Sequence, residues 1–265
     1  MPSKPATVLV FSGLDPTGGA GIQADIETIL SLGAKPCSII TALTVQDTIS
    51  VHKYSTVESD FIAQQARCIL NDISINCIKI GMIASEEIIT EILSIVSDFP
   101  KIPLVIDPIW SAGGGGALSN SKTYNRLLTE LIPRASIVTP NSVEARKLVP
   151  SAKNLEECAD NLLSNGCKSV LITGAHEDSS DVCNTFYSKD HIIPQNWPRL
   201  AQNYHGSGCT LSSSIAAFIA MGQDLESAVY NAQQYTYNTL LNACKIGRGQ
   251  LIPNRFFSSG NKNKR

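Results

Sequence analysis

Short β-branched runs alternate along this chain with segments whose apolar residues recur at helical spacing. The runs are TVLVFSG (7–13), CIKIGM (77–82), LVIDP (104–108), SIVTPN (136–141) and SVLITG (169–174). Each is brief, nearly continuous in apolar residues and rich in Val and Ile, the pattern of strands buried on both faces. Between them, IQADIETILSL (22–32) sets Ile22, Ile26, Ile29 and Leu30 on one predicted helical face, and SEEIITEILSIVSDF (85–99) reads as a further helix. This alternation predicts an α/β fold: a parallel sheet covered by helices on both faces, because parallel strands need long crossovers and helices supply them. DVCNTFYSKDHIIP (181–194) reads as a hairpin attached to that sheet. No internal repeat or low-complexity linker interrupts the pattern, which predicts one domain over 1–257 and a disordered basic tail at 258–265.

In open sheets of this kind ligands bind beyond the carboxyl ends of the strands. Each run ends there in residues suited to chemistry: Ser12-Gly13, Gly81-Met82, Asp107-Pro108, Asn141 and Thr173-Gly174. SGLDPTGGAGIQAD (12–25) reads as a glycine-rich loop entering a helix, able to bring backbone N–H groups to a ligand, or as a flexible strand-to-helix turn. It is neither a spaced G-x-G-x-x-G nor a Walker A, since no Gly-Lys-Ser/Thr follows. TPNSVEA (139–145) places Asn141 and Glu144 three apart at a helix entry. Such a pair holds Mg²⁺ through its waters or forms an N-cap with a capping-box acid. Asp107 is a second candidate for charge work, against the plain reading of a turn former. The four glycines Gly113 to Gly116 suit a mobile flap or a loose surface loop.

The sharpest signal is HGSGCTLSSSIAAFIAMG (205–222), where Gly206-Ser207-Gly208 runs into a long apolar helix. A helix N-terminus there binds an anion and lowers the pKa of the Cys209 thiol, making it an acceptor for a hydroxyl proton. The competing reading is a buried structural cysteine.

Composition narrows the classes. Apolar residues are 43% and charged residues 17% of the 265, with a net charge of -2, which makes no electrostatic case for a nucleic-acid partner. No run approaches ~18 uninterrupted apolar residues, so no membrane span is expected. The apolar start is too short for a secretory signal core, and the eight cysteines are expected to be reduced in the cytoplasm. No C-x-x-C or H-E-x-x-H occurs, so no all-protein zinc site is predicted.

In chain order, DPTGGAGIQADIET, TALTVQDT, KIGM, the DP at 107–108, TPNSVEA and HGSGCTLSSSIAA together resemble the hydroxymethylpyrimidine/phosphomethylpyrimidine kinases of the thiamin pathway, in the ribokinase-like superfamily. The resemblance spans nearly the whole chain. It implies a three-layer α/β/α sandwich and a homodimer, and the use of ATP and Mg²⁺ to phosphorylate a hydroxymethyl-aminopyrimidine and then its monophosphate. By position it implies that Gly206, Ser207, Gly208 and Cys209 form the anion hole, with Cys209 near the substrate hydroxyl. Asn141 and Glu144 would organise Mg²⁺, with Asp107 near the same phosphates. Gln46 would recognise the pyrimidine in a pocket lined by Gly13, Asp25, Met82 and Ile109. A glutamine amide suits an exocyclic amine beside a ring nitrogen, since it offers an acceptor and donors in one plane.

Two departures from the family pattern stand out. Thr173 takes a strand-end position at the phosphates where many relatives have lysine, and SAGGGGAL lacks a flap lysine. The missing charge must come from Mg²⁺, amides or a residue such as Arg248. Three rival readings follow: a pyridoxal kinase of the same superfamily, a non-catalytic pyrimidine-binding protein, and a hydrolase using Cys209 and His205. The last suffers because no acid or amide in the sequence obviously orients His205.

Overall fold

The computed structural model describes residues 4–109 and 121–258. The glycine run at 113–116 and all but the first residue of the expected basic tail lie outside the described residues. Nine strands form a single sheet in the order β3-β2-β1-β4-β5-β6-β7-β8-β9. They are β1 (Thr7–Leu14), β2 (Lys35–Gln46), β3 (Val51–Thr56), β4 (Cys77–Ile80), β5 (Leu104–Ile106), β6 (Ile137–Val138), β7 (Ser169–Ile172), β8 (Asp181–Ser188) and β9 (Ile192–Pro198). The six from β2 to β7 pair in parallel, while β3 at one edge and the β8–β9 hairpin at the other are antiparallel.

Strand alternation builds two cores. Leu9 and Phe11 of β1 point to a cluster with Ile62 of α2 (Ser59–Asp72), Ile88, Ile89 and Ile92 of α3 (Glu86–Asp98), Leu148 of α5 (Ser142–Leu148) and Leu162 of α6 (Leu155–Ser164). The short α4 (Ser121–Arg126) adds Tyr124 to the same layer. Val8 and Val10 point the other way, to Ile22 and Ile29 of α1 (Gly21–Ser31), Ile215 of α7 (Ser207–Ala220) and Val229 of α8 (Leu225–Leu241). The result is the three-layer sandwich expected. Period-2 burial on β1 feeds both layers at once.

The hairpin forms where the sequence places it and runs on to Pro198. Ser85 caps α3, its hydroxyl accepting from the Ile88 N–H. Two expectations need correcting. Leu30 is 41% exposed, and the inner face of α1 carries Asp25 and Thr28 beside Ile22 and Ile29, so that face is partly polar. The strand runs are also shorter than their apolar stretches: β5 ends at Ile106 and β6 at Val138, and the residues beyond turn into the site.

Candidate active site

The carboxyl ends of β1, β4, β5, β6 and β7 open on one cavity of about 440 Å³. The N-termini of α1 and α7 face it, and neither has a side-chain cap. Both helix dipoles therefore favour an anion there. Gly206 enters α7 with φ +83, and a Cβ there would lie 1.9 Å from the Gly19 carbonyl oxygen. Only glycine allows the loop before α1 and the turn before α7 to close on each other. Thr210 Oγ1 donates to the Gly206 oxygen at 2.8 Å and fixes that peptide. Gly206, Ser207, Gly208 and Cys209 all line the cavity, as does Asp107.

Asp107 is buried at the end of β5, and Ser212 Oγ donates to its Oδ2 at 3.1 Å. Burial pushes its carboxyl up to about 6, although Lys79 and Ser212 pull the other way. Lys79 is fully buried and pairs with Asp25 at 2.9 Å, and Ser213 Oγ donates to the same Asp25 oxygen at 2.6 Å. Asp25 thus sits beneath the cavity rather than among its lining, a correction to the expected pocket. A carboxylate on the inner face of α1 balances the buried ammonium of Lys79 on β4.

The expected ready thiolate is also corrected. Cys209 is buried, and burial pushes its thiol up to about 12 against the pull of Lys79. Desolvation of the thiolate outweighs the helix N-terminus. Iodoacetamide near pH 7 is therefore expected to label the exposed Cys68, Cys183 and Cys244 before Cys209. Peptide mapping of a time course checks the order, and Cys209 labelled first would restore the thiolate. Cys209→Ala is expected to keep kcat within about tenfold of the parent, well short of the loss of a general base.

Gln46, Met82 and Ile109 line the same cavity with Gly13, whose Cβ would come 2.8 Å from the Met82 sulfur. Gln46 Nε2 lies 2.9 Å from His205 Nε2, and that nitrogen lies 2.7 Å from Asp15 Oδ2. Burial works to raise the Asp15 carboxyl, but donors from His205, Thr17 and Ala20 outweigh it and hold it below the ordinary carboxylate value. An ionised Asp15 calls for a proton on His205 Nε2, so that nitrogen cannot also accept from an amide. Gln46 is best satisfied with its oxygen toward the imidazole and its NH₂ toward Thr44 Oγ1. An acid therefore does orient His205, where none was obvious in the sequence.

Asn141 and Glu144 realise the capping box. Asn141 Oδ1 accepts from the Glu144 N–H and Glu144 Oε2 from the Asn141 N–H, each at 2.9 Å. Both also line the cavity, beside Thr173, whose strand end bridges to Asn141. Arg248 does not line it; the arginine that does is Arg199, its guanidinium donating to the carbonyls of Ala175, Glu177 and Ser179. The cavity lining also holds residues with no signal in the sequence. Trp197 and Tyr237 stack obliquely with ring centroids 5.2 Å apart, and Trp197 Nε1 donates to Gln233 at 3.1 Å. Among the described residues no three His, Cys, Asp or Glu side chains assemble to hold a metal alone, and no helix is long and apolar enough to cross a membrane.

The mostly parallel α/β/α sandwich is the fold of the ribokinase-like small-molecule kinases. The family model described as phosphomethylpyrimidine kinase matches residues 15–254, and the chain belongs to that family. The hydroxymethylpyrimidine/phosphomethylpyrimidine kinase of Escherichia coli is 33% identical over 93% of this chain and 96% of its own length. The thiamine biosynthesis bifunctional protein ThiED of Geobacter sulfurreducens is 34% identical over 94% of this chain, which spans about half of that relative, 52%. The phosphomethylpyrimidine kinase structure from Clostridium difficile superposes with a TM-score of 0.78 at 32% identity, covering 88% of this chain and 99% of that one. A Staphylococcus aureus pyridoxal kinase in complex with AMP-PCP and pyridoxal gives 0.86 at 25% identity, covering 96% and 94%.

Proposed function

We propose that this protein transfers the terminal phosphoryl group of ATP to the hydroxymethyl oxygen of 4-amino-5-hydroxymethyl-2-methylpyrimidine, and then a second to the monophosphate, in thiamine biosynthesis. One observation carries the reading: a single cavity is lined both by the polar Gln46 and by the anion-binding turn Gly206–Cys209, with Asp107 also on its wall. Gln46 offers donor and acceptor in one plane to the aminopyrimidine edge, and Met82 and Ile109 pack its apolar body. The substrate hydroxyl oxygen attacks the terminal phosphorus, the bond to the leaving ADP oxygen breaks, and the hydroxyl proton passes to the Asp107 carboxylate. A carboxyl near 6 is ionised at neutral pH and still basic enough for that transfer. The amides of Gly206 to Cys209 stabilise the transferring group, as phosphoryl transfer demands chiefly positioning and charge stabilisation.

Glu144 and Asn141 would hold Mg²⁺ through its waters. Oxygen donors in small number fit a cation that keeps several waters and shares phosphate ligands. Bound with the nucleotide, Mg²⁺ supplies neutralisation of phosphate charge. The stacked Trp197–Tyr237 pair offers a surface for the nucleotide base. The reading takes the protein to be a cytoplasmic homodimer.

Following ADP release with the aminopyrimidine, its monophosphate and pyridoxal offered separately tests the proposal. Turnover of the two pyrimidines is expected. The likeness to the pyridoxal-bound kinase favours a second reading, and preferential turnover of pyridoxal would establish it. Tight binding without ADP release would mark a non-catalytic binder. Against the hydrolase reading stands the Cys209 thiol, which burial holds in its protonated form at neutral pH. Gln46→Ala is expected to raise the aminopyrimidine KM by roughly 5- to 150-fold, the equivalent of about 1–3 kcal/mol of unmade hydrogen bonding, with the ATP KM little changed. Equal effects on both would remove Gln46 from pyrimidine recognition.

A further inference from the structure

Arg255 lies one residue beyond the family-matched stretch and has no part in the chemistry above, yet it is among the most buried side chains, 1% exposed. Its guanidinium reaches three segments at once. Nη1 donates to the Gly18 oxygen at 3.2 Å and to Glu27 at 3.0 Å, Nη2 to the Gly19 oxygen, and Nε to Thr210 Oγ1 at 3.1 Å. Neutralising the charge needs only Glu27, whose side chain is 42% exposed. The other arms go to the carbonyls of the glycine loop and to the hydroxyl that fixes the Gly206 peptide. Gly19, one of those carbonyls, is the group packed against the Gly206 Cα. The segment carrying Arg255 is itself tied to the turn before α7: His205 N–H donates to the Leu251 oxygen at 2.9 Å and Leu251 N–H to the Asn203 oxygen at 3.0 Å. Tyr235 anchors the arginine's own carbonyl at 2.8 Å.

We propose that Arg255 is a positioning residue for the phosphate end of the cavity, latching the loop at Gly18–Gly19 to the first turn of α7. The latch holds the Gly206–Cys209 amides in the shape that receives the transferred phosphoryl group. It rests on the kinase reading for its consequence in turnover, though not for its geometry. A planar fork with five donors suits four acceptors on three segments; a lysine ammonium in the same space cannot reach them together.

The test compares Arg255→Lys and Arg255→Gly with the parent by kinetics, hydrogen exchange and melting. Misplacement of a reacting group by about 1 Å costs on the order of 10²-fold, so kcat is expected to fall by roughly 10- to 100-fold in both, with the aminopyrimidine KM within about threefold. Amides at 18–21 and 206–209 should exchange faster in Arg255→Lys, and millimolar methylguanidinium should restore part of kcat in Arg255→Gly. A merely stabilising arginine would instead lower the melting temperature and leave kcat and local exchange at parental values, which would overturn the latch. Should Arg255→Gly fail to fold, Arg255→Lys alone decides by the same two readouts. Parental protein without kinase turnover would refute the kinase reading instead, and exchange would still report on the latch.

Discussion

Asp107→Asn is expected to melt higher than the parent near pH 8 while turning over on the order of 10³-fold more slowly, the scale of a lost general base. Burial raises the Asp107 carboxyl to about 6 from an ordinary 3.8. The folded state therefore holds a proton that the unfolded chain releases between these values. Stability from this group is fully present below about pH 4 and is lost as pH rises through about 6. At neutral pH the buried carboxylate then costs on the order of 3 kcal/mol. Asparagine removes the charge, keeps an acceptor for Ser212, and leaves Lys79 paired with Asp25. Each recovered kcal/mol should raise the melting temperature by roughly 2–4 °C. The gain should shrink toward about pH 5, where the parental carboxyl is already neutral, and parental turnover should fall through the same range. Melting curves and pH–rate profiles of the two proteins check this; full activity in Asp107→Asn would move the proton acceptor elsewhere.

Gly206→Ala is expected to lose roughly 10²- to 10³-fold in kcat, as when a preorganised donor is displaced from the transition state. The left-handed backbone at φ +83 costs a non-glycine residue about 1–2 kcal/mol. The new Cβ would also lie 1.9 Å from the Gly19 oxygen, so one of the two loops must yield. Gly222, at φ +88 with nothing within 4 Å of its Cβ position, is the control. Gly222→Ala should lose about 1–2 kcal/mol of stability with kcat intact. Equal kinetic behaviour in the two variants would show that the close approach at Gly206 does not shape the site.

The parallel strands the sequence revealed are those buried on both faces. β2 escaped because its apolar residues are shared between core and surface: Ile39 is fully buried, while Leu43 and Val45 are 47% and 59% exposed. The glycine loops were legible since few residues other than glycine tolerate their backbone. Their partners were not. Asp15 and His205 lie 190 positions apart, and nothing local to either announces the contact. Cys209 misled for a related reason: a helix start is visible in sequence, but the depth at which the fold sets it is not, and depth decides the thiol's proton affinity. For Asp107 the sequence left charge work and a plain turn former open, and the same depth is what raises its carboxyl.

The Arg255 contacts to Gly18 and Gly19 span 237 and 236 positions of the chain. Closing such a span is the slowest kind of contact to form, because a long loop's entropy is lost before the contact repays it. All nine strands and one of the two apolar cores are present by Pro198, so a nascent chain emerging from the ribosome can acquire that core well before the glycine loop is fastened. The loop that shapes the cavity is then fastened only after the core that carries it has formed.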